Sequence, residues 1–283
     1  MSGGHQWLDY AWRVVATALC FVTFGLSCIF SSLVVFPLIR ITSPGPDTTR
    51  RRVRQFLHHY YRFSIGLWRT LGVVTYELHG GGRLAAPGQL VVANHPSLVD
   101  AVFLGALMPQ VDCIVKDALM RNPFLRAPVR WAGYILNSSP ERLIEDCATT
   151  LRAGESLLVF PEGTRSTPGQ PLKMQRGAAH IALATGHDLL PVTLRCHPRW
   201  LAKTDQWFRV PPRRPHWSLT VGEPIRLAGL TVPGESRSVA ARRVTAHLVE
   251  YFDARRGPST PAVAAAPVAT ATARRPANSA TAT

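Results

Sequence analysis

The sequence predicts an α/β fold, a mixed β-sheet flanked by helices, carried behind an N-terminal membrane helical segment. Three observations predict it. From residue 73 onward, short apolar runs of strand type alternate with longer stretches of helical periodicity. Two of those runs, residues 89–93 and 156–160, open directly into polar turns, as strands do at the carboxyl edge of an α/β sheet. Residues 14–39 carry no charge between Arg13 and Arg40.

The uncharged run comes first in the chain. Its roughly 26 residues, at about 1.5 Å rise each, are long enough to cross a hydrocarbon core of about 30 Å with some tilt. A signal peptide has a shorter apolar region and a small-residue cleavage site, whereas this run closes on Phe36-Pro37-Leu38-Ile39. Residues 1–45 therefore read as a membrane segment, spanning or inserted as a hairpin. Arg40, Arg50, Arg51, Arg52 and Arg54 follow it. The positive-inside rule then sets the rest of the chain on the cytoplasmic face of a cell inner membrane. Residues 46–72 read as a basic amphipathic helix. Val53, Phe56, Leu57, Tyr60, Phe63, Leu67, Trp68 and Leu71 recur at three- and four-residue steps, with Arg54, His58, Arg62 and Arg69 between them. Directly after a membrane segment, that mixture suits the lipid interface.

Residues 73–256 read as the main globular domain. Strands are expected at 73–78, 89–93, 111–116, 134–136, 156–160, 189–194 and 217–221, and helices at 101–107, 141–151, 176–185 and 236–254. Gly80-Gly81-Gly82 reads as a flexible break, Pro123 and Pro128 as loop punctuation, and Gly154 and Gly186 as helix stops. Residues 257–283 are Ala, Thr and Pro with few bulky side chains. Such a tail buries too little apolar area to offset the entropy of ordering it, so it is expected to be disordered.

The formal net charge is +15 in a chain that is 46% hydrophobic. Nucleic acid, an anionic membrane or an acidic protein could each answer that charge. No nucleic-acid-binding motif is present, and the charge lies largely near the membrane segments, which argues against a nucleic-acid partner. The five cysteines are scattered and unpaired in spacing, so neither a disulfide framework nor a metal site is indicated.

Chemistry concentrates in the two polar turns. Asn94-His95-Pro96-Ser97-Leu98-Val99-Asp100 places a histidine where a buried strand ends and a helix begins. Asp100, expected one to two turns into that helix, can reach back to one ring nitrogen, fixing the tautomer and leaving the other nitrogen as a base. The spacing alone is not specific. Pro161-Glu162-Gly163-Thr164-Arg165-Ser166 follows the second strand. Gly163 permits close backbone approach, and Arg165 offers a planar fork suited to phosphate or carboxylate.

Taken together and in order, these motifs resemble those of the glycerolipid acyltransferases of the 1-acylglycerol-3-phosphate acyltransferase type. Val115-Lys116-Asp117-Ala118-Leu119, Asn122-Pro123-Phe124 and Leu190-Pro191-Val192 are similar to that family's linking and last motifs. The resemblance covers roughly residues 73–222. It implies a catalytic domain over residues 73–256 that moves a fatty acyl group from acyl carrier protein or coenzyme A to a lysophospholipid hydroxyl, with membrane lipids as further partners. It implies His95 as general base, Asp100 as its orienting partner, and Glu162, Gly163, Thr164 and Arg165 as acceptor-binding residues. It implies no metal and no bound cofactor, the acyl thioester being a co-substrate. One position departs: Ser138 stands where the family usually has an arginine for the acceptor phosphate. Lys116, Arg142, Lys173 or Arg176 are candidates to replace it. Otherwise the acceptor is a phosphate-free lipid such as a lyso-amino-acid lipid. A non-catalytic lipid-binding protein on the same fold is the remaining alternative.

Overall fold

The computed structural model describes residues 3–137, 139–167 and 169–256. Seven strands form one mixed sheet: β1 (Thr75–His79), β2 (Leu90–Ala93), β3 (Val111–Val115), β4 (Ile135–Leu136), β5 (Ser156–Val159), β6 (Leu189–His197) and β7 (His216–Val221). Their order across the sheet is β1-β7-β6-β2-β5-β3-β4. The strands from β6 to β4 run parallel, β7 runs antiparallel to β6, and β1 runs parallel to β7. The α/β architecture expected from the sequence is therefore present. Central strands β2 and β5 are buried throughout, as strands covered on both faces must be. Pro191 sits in β6 one residue outside the β6–β7 ladder, which begins at Val192 opposite Val221. Its carbonyl accepts from Gly222 N–H, so its missing N–H falls where no strand needs it.

Helices α1 (Gly3–Phe30) and α2 (Phe36–Ile41) are joined by a π-helical stretch, Ser31–Val35. Pro37 lies just beyond that stretch, cannot donate to the preceding turn and crowds it. The widened turn accommodates the ring. α3 (Pro46–Thr70), α4 (Asp100–Leu107), α5 (Arg126–Ala132), α6 (Pro140–Arg152), α7 (Gly177–Thr185) and α8 (Arg237–Arg255) complete the set. One sheet face packs Val91, Leu158, Val192 and Trp217 against residues of α4, α3 and α1 such as Phe103, Leu104, Trp68 and Cys20. The other packs Leu90, Val92, Leu157 and Leu189 against α6, α7 and α8.

Two expectations needed correction. Residues 123–128 were expected as loop, yet α5 forms there with Pro128 in its first turn, where a missing N–H has no intrahelical partner. The Gly80-Gly81-Gly82 break is the entry to a short 3-10 turn, Gly81–Ala85. Ser138 and the tail from Gly257 fall outside the described residues.

Among the described residues, Gln6–Ile41 is the one helical run long and apolar enough to cross a membrane, and only 22% of its apolar window is buried in the protein. Ala16, Cys20 and Cys28 face inward, while Val15, Leu19, Val22 and Leu26 are exposed. The inward face is tied along its length. Trp12 Nε1 donates to Leu71 O at 2.9 Å, and Arg13 donates to Pro211 O and Pro212 O at 2.7 and 2.6 Å. Phe21 packs edge-on to Trp200, and Phe24 packs on Trp68. The apolar stripe of α3, including Val53, Leu57, Ile65 and Trp68, is buried within the protein, whereas Phe63 is exposed.

A buried ion cluster pins α3 to the end of the sheet away from the polar turns. Arg54 contacts Asp112 at 2.7 Å and Glu155 at 2.6 Å and donates to Ala132 O at 2.8 Å. Arg54 and Asp112 are almost completely buried. Removing one partner strands the other charge in a low-dielectric interior. Arg54→Ala is expected to lower unfolding stability by about 3–5 kcal/mol in chemical denaturation. A loss below about 1 kcal/mol would mean that Asp112 and Glu155 find water or other partners.

Candidate active site

The site begins where β2 ends. Asn94, itself buried, replaces the strand ladder with a two-way amide bracket: its Nδ2 donates to Leu194 O at 2.8 Å and its Oδ1 accepts from Leu194 N at 2.7 Å. That bracket fixes the next residue, His95, whose side chain is 17% exposed. His95 Nδ1 lies 3.0 Å from Asp100 Oδ2. The ring stacks on Phe160 with centroids 4.3 Å apart. Among the described residues its Nε2 has no hydrogen-bond partner. With the carboxylate on Nδ1, Nε2 is the nitrogen left to accept a proton.

Asp100 was expected one to two turns into the helix. It is instead the first residue of α4. From there the carboxylate turns back over its own entry loop, and Oδ2 also accepts from Ser97 N–H at 2.6 Å. Its other oxygen, Oδ1, accepts from the indole Nε1 of Trp217 at 3.1 Å. Asp100 and Trp217 are both fully buried. Burial pushes the Asp100 carboxyl above the ordinary carboxylate range, while His95, Ser97 N–H and Trp217 hold it down. Trp217 was missed in the sequence because it lies 117 residues from Asp100 in the chain.

The second turn folds against the first. Glu162 Oε1 accepts from His95 N–H and from Ser166 Oγ, each at 2.9 Å, and Ser166 N donates to His95 O at 2.7 Å. Burial pushes the Glu162 carboxyl up, against those two bonds. Gly163 has φ 63°, a conformation that favours glycine, and its N–H closes the turn on Phe160 O at 3.0 Å. Thr164 is half-buried beside it. Arg165 Nη1 donates to Leu201 O and Ala202 O, both at 2.9 Å. Leu201 O also accepts from Leu98 N–H at 2.9 Å, so one carbonyl ties the loop after β6 to both polar turns. The fold brings all six candidate residues to one edge of the sheet. Lys116 leaves β3 at that same edge. Among the described residues, no group of three or more His, Cys, Asp or Glu side chains is placed to hold a metal ion.

A family model described as acyltransferase matches residues 76–195, which hold all six candidate residues, while Leu201, Ala202 and Trp217 lie beyond its end. That stretch, somewhat under half of the chain, is similar to the acyltransferase family. The chain is 27% identical over 161 residues to a 1-acyl-sn-glycerol-3-phosphate acyltransferase of Pseudomonas aeruginosa, covering 53% of the chain and 61% of that protein. It is 28% identical over 203 residues to the enzyme of that name from Cocos nucifera, covering 69% of the chain and 63% of the relative. It is 31% identical over 175 residues to a lyso-ornithine lipid O-acyltransferase of Pseudomonas aeruginosa, covering 60% of the chain and 64% of that protein. The chain thus spans somewhat over 60% of the length of these relatives. Its fold matches the crystal structure of a 1-acyl-sn-glycerophosphate acyltransferase from Thermotoga maritima with TM-score 0.59 at 22% identity, over 86% of this chain and 98% of that one.

Glu162 joins the two turns, so its removal is expected to loosen both. Glu162→Ala should lower unfolding stability by about 1–3 kcal/mol, the cost of leaving buried donors unpaired. Denaturation of the purified variant checks this, and an unchanged midpoint would leave Glu162 without a structural role.

Proposed function

We propose that this protein is a membrane-associated O-acyltransferase that moves a fatty acyl group from an acyl thioester to the hydroxyl of a lysophospholipid such as 1-acylglycerol-3-phosphate. The observation that carries the reading is His95, with Nδ1 held by a buried carboxylate and Nε2 unpartnered at the edge of the sheet. His95 Nε2 takes the proton from the acceptor hydroxyl. The oxygen attacks the thioester carbonyl, a new C–O bond forms and the C–S bond breaks. The proton on His95 then passes to the departing thiolate, leaving an ester and a free thiol. Asp100 orients the ring and stabilises its charged form. Acyl carrier protein and coenzyme A are the candidate donors, both acidic and both suited to a strongly basic chain.

The exposed side of α1 and α2 supports the membrane placement. It includes Val15, Leu19, Val22, Leu26, Leu33, Leu38 and Ile41. Phe124 beside Gly25 and Trp207 beside Phe21 extend it toward the catalytic edge. A helix packed along its length on a globular domain lies in the lipid interface better than across it. On this reading the catalytic domain works from the cytoplasmic face.

The acceptor has a second reading. Arg165 is engaged by two backbone carbonyls, and Ser138 replaces the arginine expected for an acceptor phosphate. Both favour a phosphate-free acceptor, such as the lyso-ornithine lipid named for one of the relatives. Purified protein in nanodiscs, given acyl carrier protein or coenzyme A thioesters and offered lysophosphatidic acid and lyso-ornithine lipid in parallel, separates the two. Transfer to lysophosphatidic acid supports the phospholipid reading, and transfer to the ornithine lipid alone replaces it.

In the same assay His95→Ala is expected to lower turnover by a factor of about 10² to 10⁴. An unchanged rate would remove the mechanism. Trp217→Phe removes a charge-assisted bond of about 1.5–3 kcal/mol from Asp100. Turnover should fall about 10- to 100-fold with little change in the acceptor KM. Because that bond favours ionised Asp100, its loss should also move the acidic limb of the pH–rate profile to higher pH. A fall in rate with no movement of the limb would make Trp217 a packing residue only.

A further inference from the structure

A second cluster of cations lies away from the catalytic edge, in a cleft of about 510 Å³ between the end of α2, the start of α3 and α5. Arg40, Arg50 and Arg130 line it, with Trp131 as an apolar wall and Asp47 as the one carboxylate. Arg50 Nη2 lies 3.5 Å from Asp47 and 3.4 Å from Glu155, both long contacts. Its Nε is buried with no hydrogen-bond partner. Arg40 and Arg130 are exposed and have no carboxylate partner among the described residues. The cleft is shaped for the Arg50 stem: a Cβ on Gly133, which has φ 64°, would come within 2.7 Å of Arg50 Cδ.

Three guanidinium groups face Asp47 and Glu155, and Glu155 is already held by Arg54, which leaves an excess of positive charge with unused planar donors on Arg40 and Arg130. Such forks match phosphate oxygens. The apolar surface beside the cleft indicates what carries the phosphate. Arg40 ends the uncharged run, and its neighbours Leu38 and Ile41 are 58% and 80% exposed. A free anion has no use for that surface, whereas the chains of a lipid do. Arginine at the end of an apolar helix also sits at headgroup depth.

We infer that this cleft is a binding site for the phosphate headgroup of an anionic membrane phospholipid, separate from the catalytic edge. The site does not depend on the acyl-transfer reading, and its test measures binding, so either can fail without the other.

The full-length protein in detergent is titrated with phosphatidylglycerol, phosphatidylcholine or inorganic phosphate, and bound lipid is counted by native mass spectrometry. The Arg40→Gln/Arg130→Gln variant is compared with Arg237→Gln/Arg242→Gln, which removes the same charge from exposed positions of α8. The native protein should retain one phosphatidylglycerol that the Arg40/Arg130 variant binds at least tenfold more weakly and the α8 variant binds unchanged. Phosphatidylcholine should bind more weakly than phosphatidylglycerol, and millimolar inorganic phosphate should not displace the lipid. Thermal unfolding of each variant reports that the fold is intact. Equal retention in all three proteins, or equal loss in both variants, would overturn the site in favour of no site or of diffuse attraction. Displacement by inorganic phosphate would overturn the lipid assignment.

Discussion

The carboxylate of Asp100 is fully buried, and that constraint organises the candidate site at the edge of the sheet. An uncompensated buried carboxylate costs several kcal/mol, so each lone pair needs a donor held in place. The donors come from two parts of the chain: the turn after β2, which supplies the His95 ring and the Ser97 N–H, and β7, which supplies the Trp217 indole. The register of β7 follows from this need. Trp217 sits opposite Tyr76 on one side and Cys196 on the other, with its side chain on the α4 face beside Phe103. A one-residue slip would turn the indole to the opposite face and leave Oδ1 unsatisfied.

The polar side chains of the second turn serve the same rigidity. Glu162 and Arg165 are the residue types expected to meet a substrate, yet their resolved bonds are internal. Glu162 joins the backbone of the first turn to the hydroxyl of Ser166, and Arg165 joins the turn to Leu201 and Ala202. Leu201 adopts φ 56°, an uncommon conformation for a branched aliphatic residue, and its carbonyl accepts from both turns. On the proposed mechanism, a site held in this way needs little reorganisation when charge develops on the reacting oxygen.

Much of this was legible in the chain. β2 and β5 read clearly because a strand covered on both faces is apolar throughout, and Gly186 ended α7 as expected, with φ 70°. The two motif turns also read clearly, because their polar residues interrupt those strands. What escaped was set by distant pairing. β6 runs on through Arg195, Cys196 and His197, a stretch without strand character of its own, because β7 pairs with it there. α5 was hidden by two prolines whose positions happen to be tolerated. The bond from Trp217 leaves no local trace at all. The N-terminal run read as long enough to span, and periodicity alone did not reveal how much of one side is covered by protein.

That coverage makes the first helix a wall of the domain rather than a tether. Ala16 and Cys20 belong to the same core as Val91, Phe103 and Trp217, and Arg13 closes the loop that carries Pro211 and Pro212. Trimming the chain to begin at Pro46, the usual way to obtain a soluble fragment of an anchored enzyme, would strip one side of that core. The cut would bare Trp68 and Trp200 directly beside the loop that steadies His95. On the proposed membrane reading, solubility and an intact candidate site are therefore competing demands.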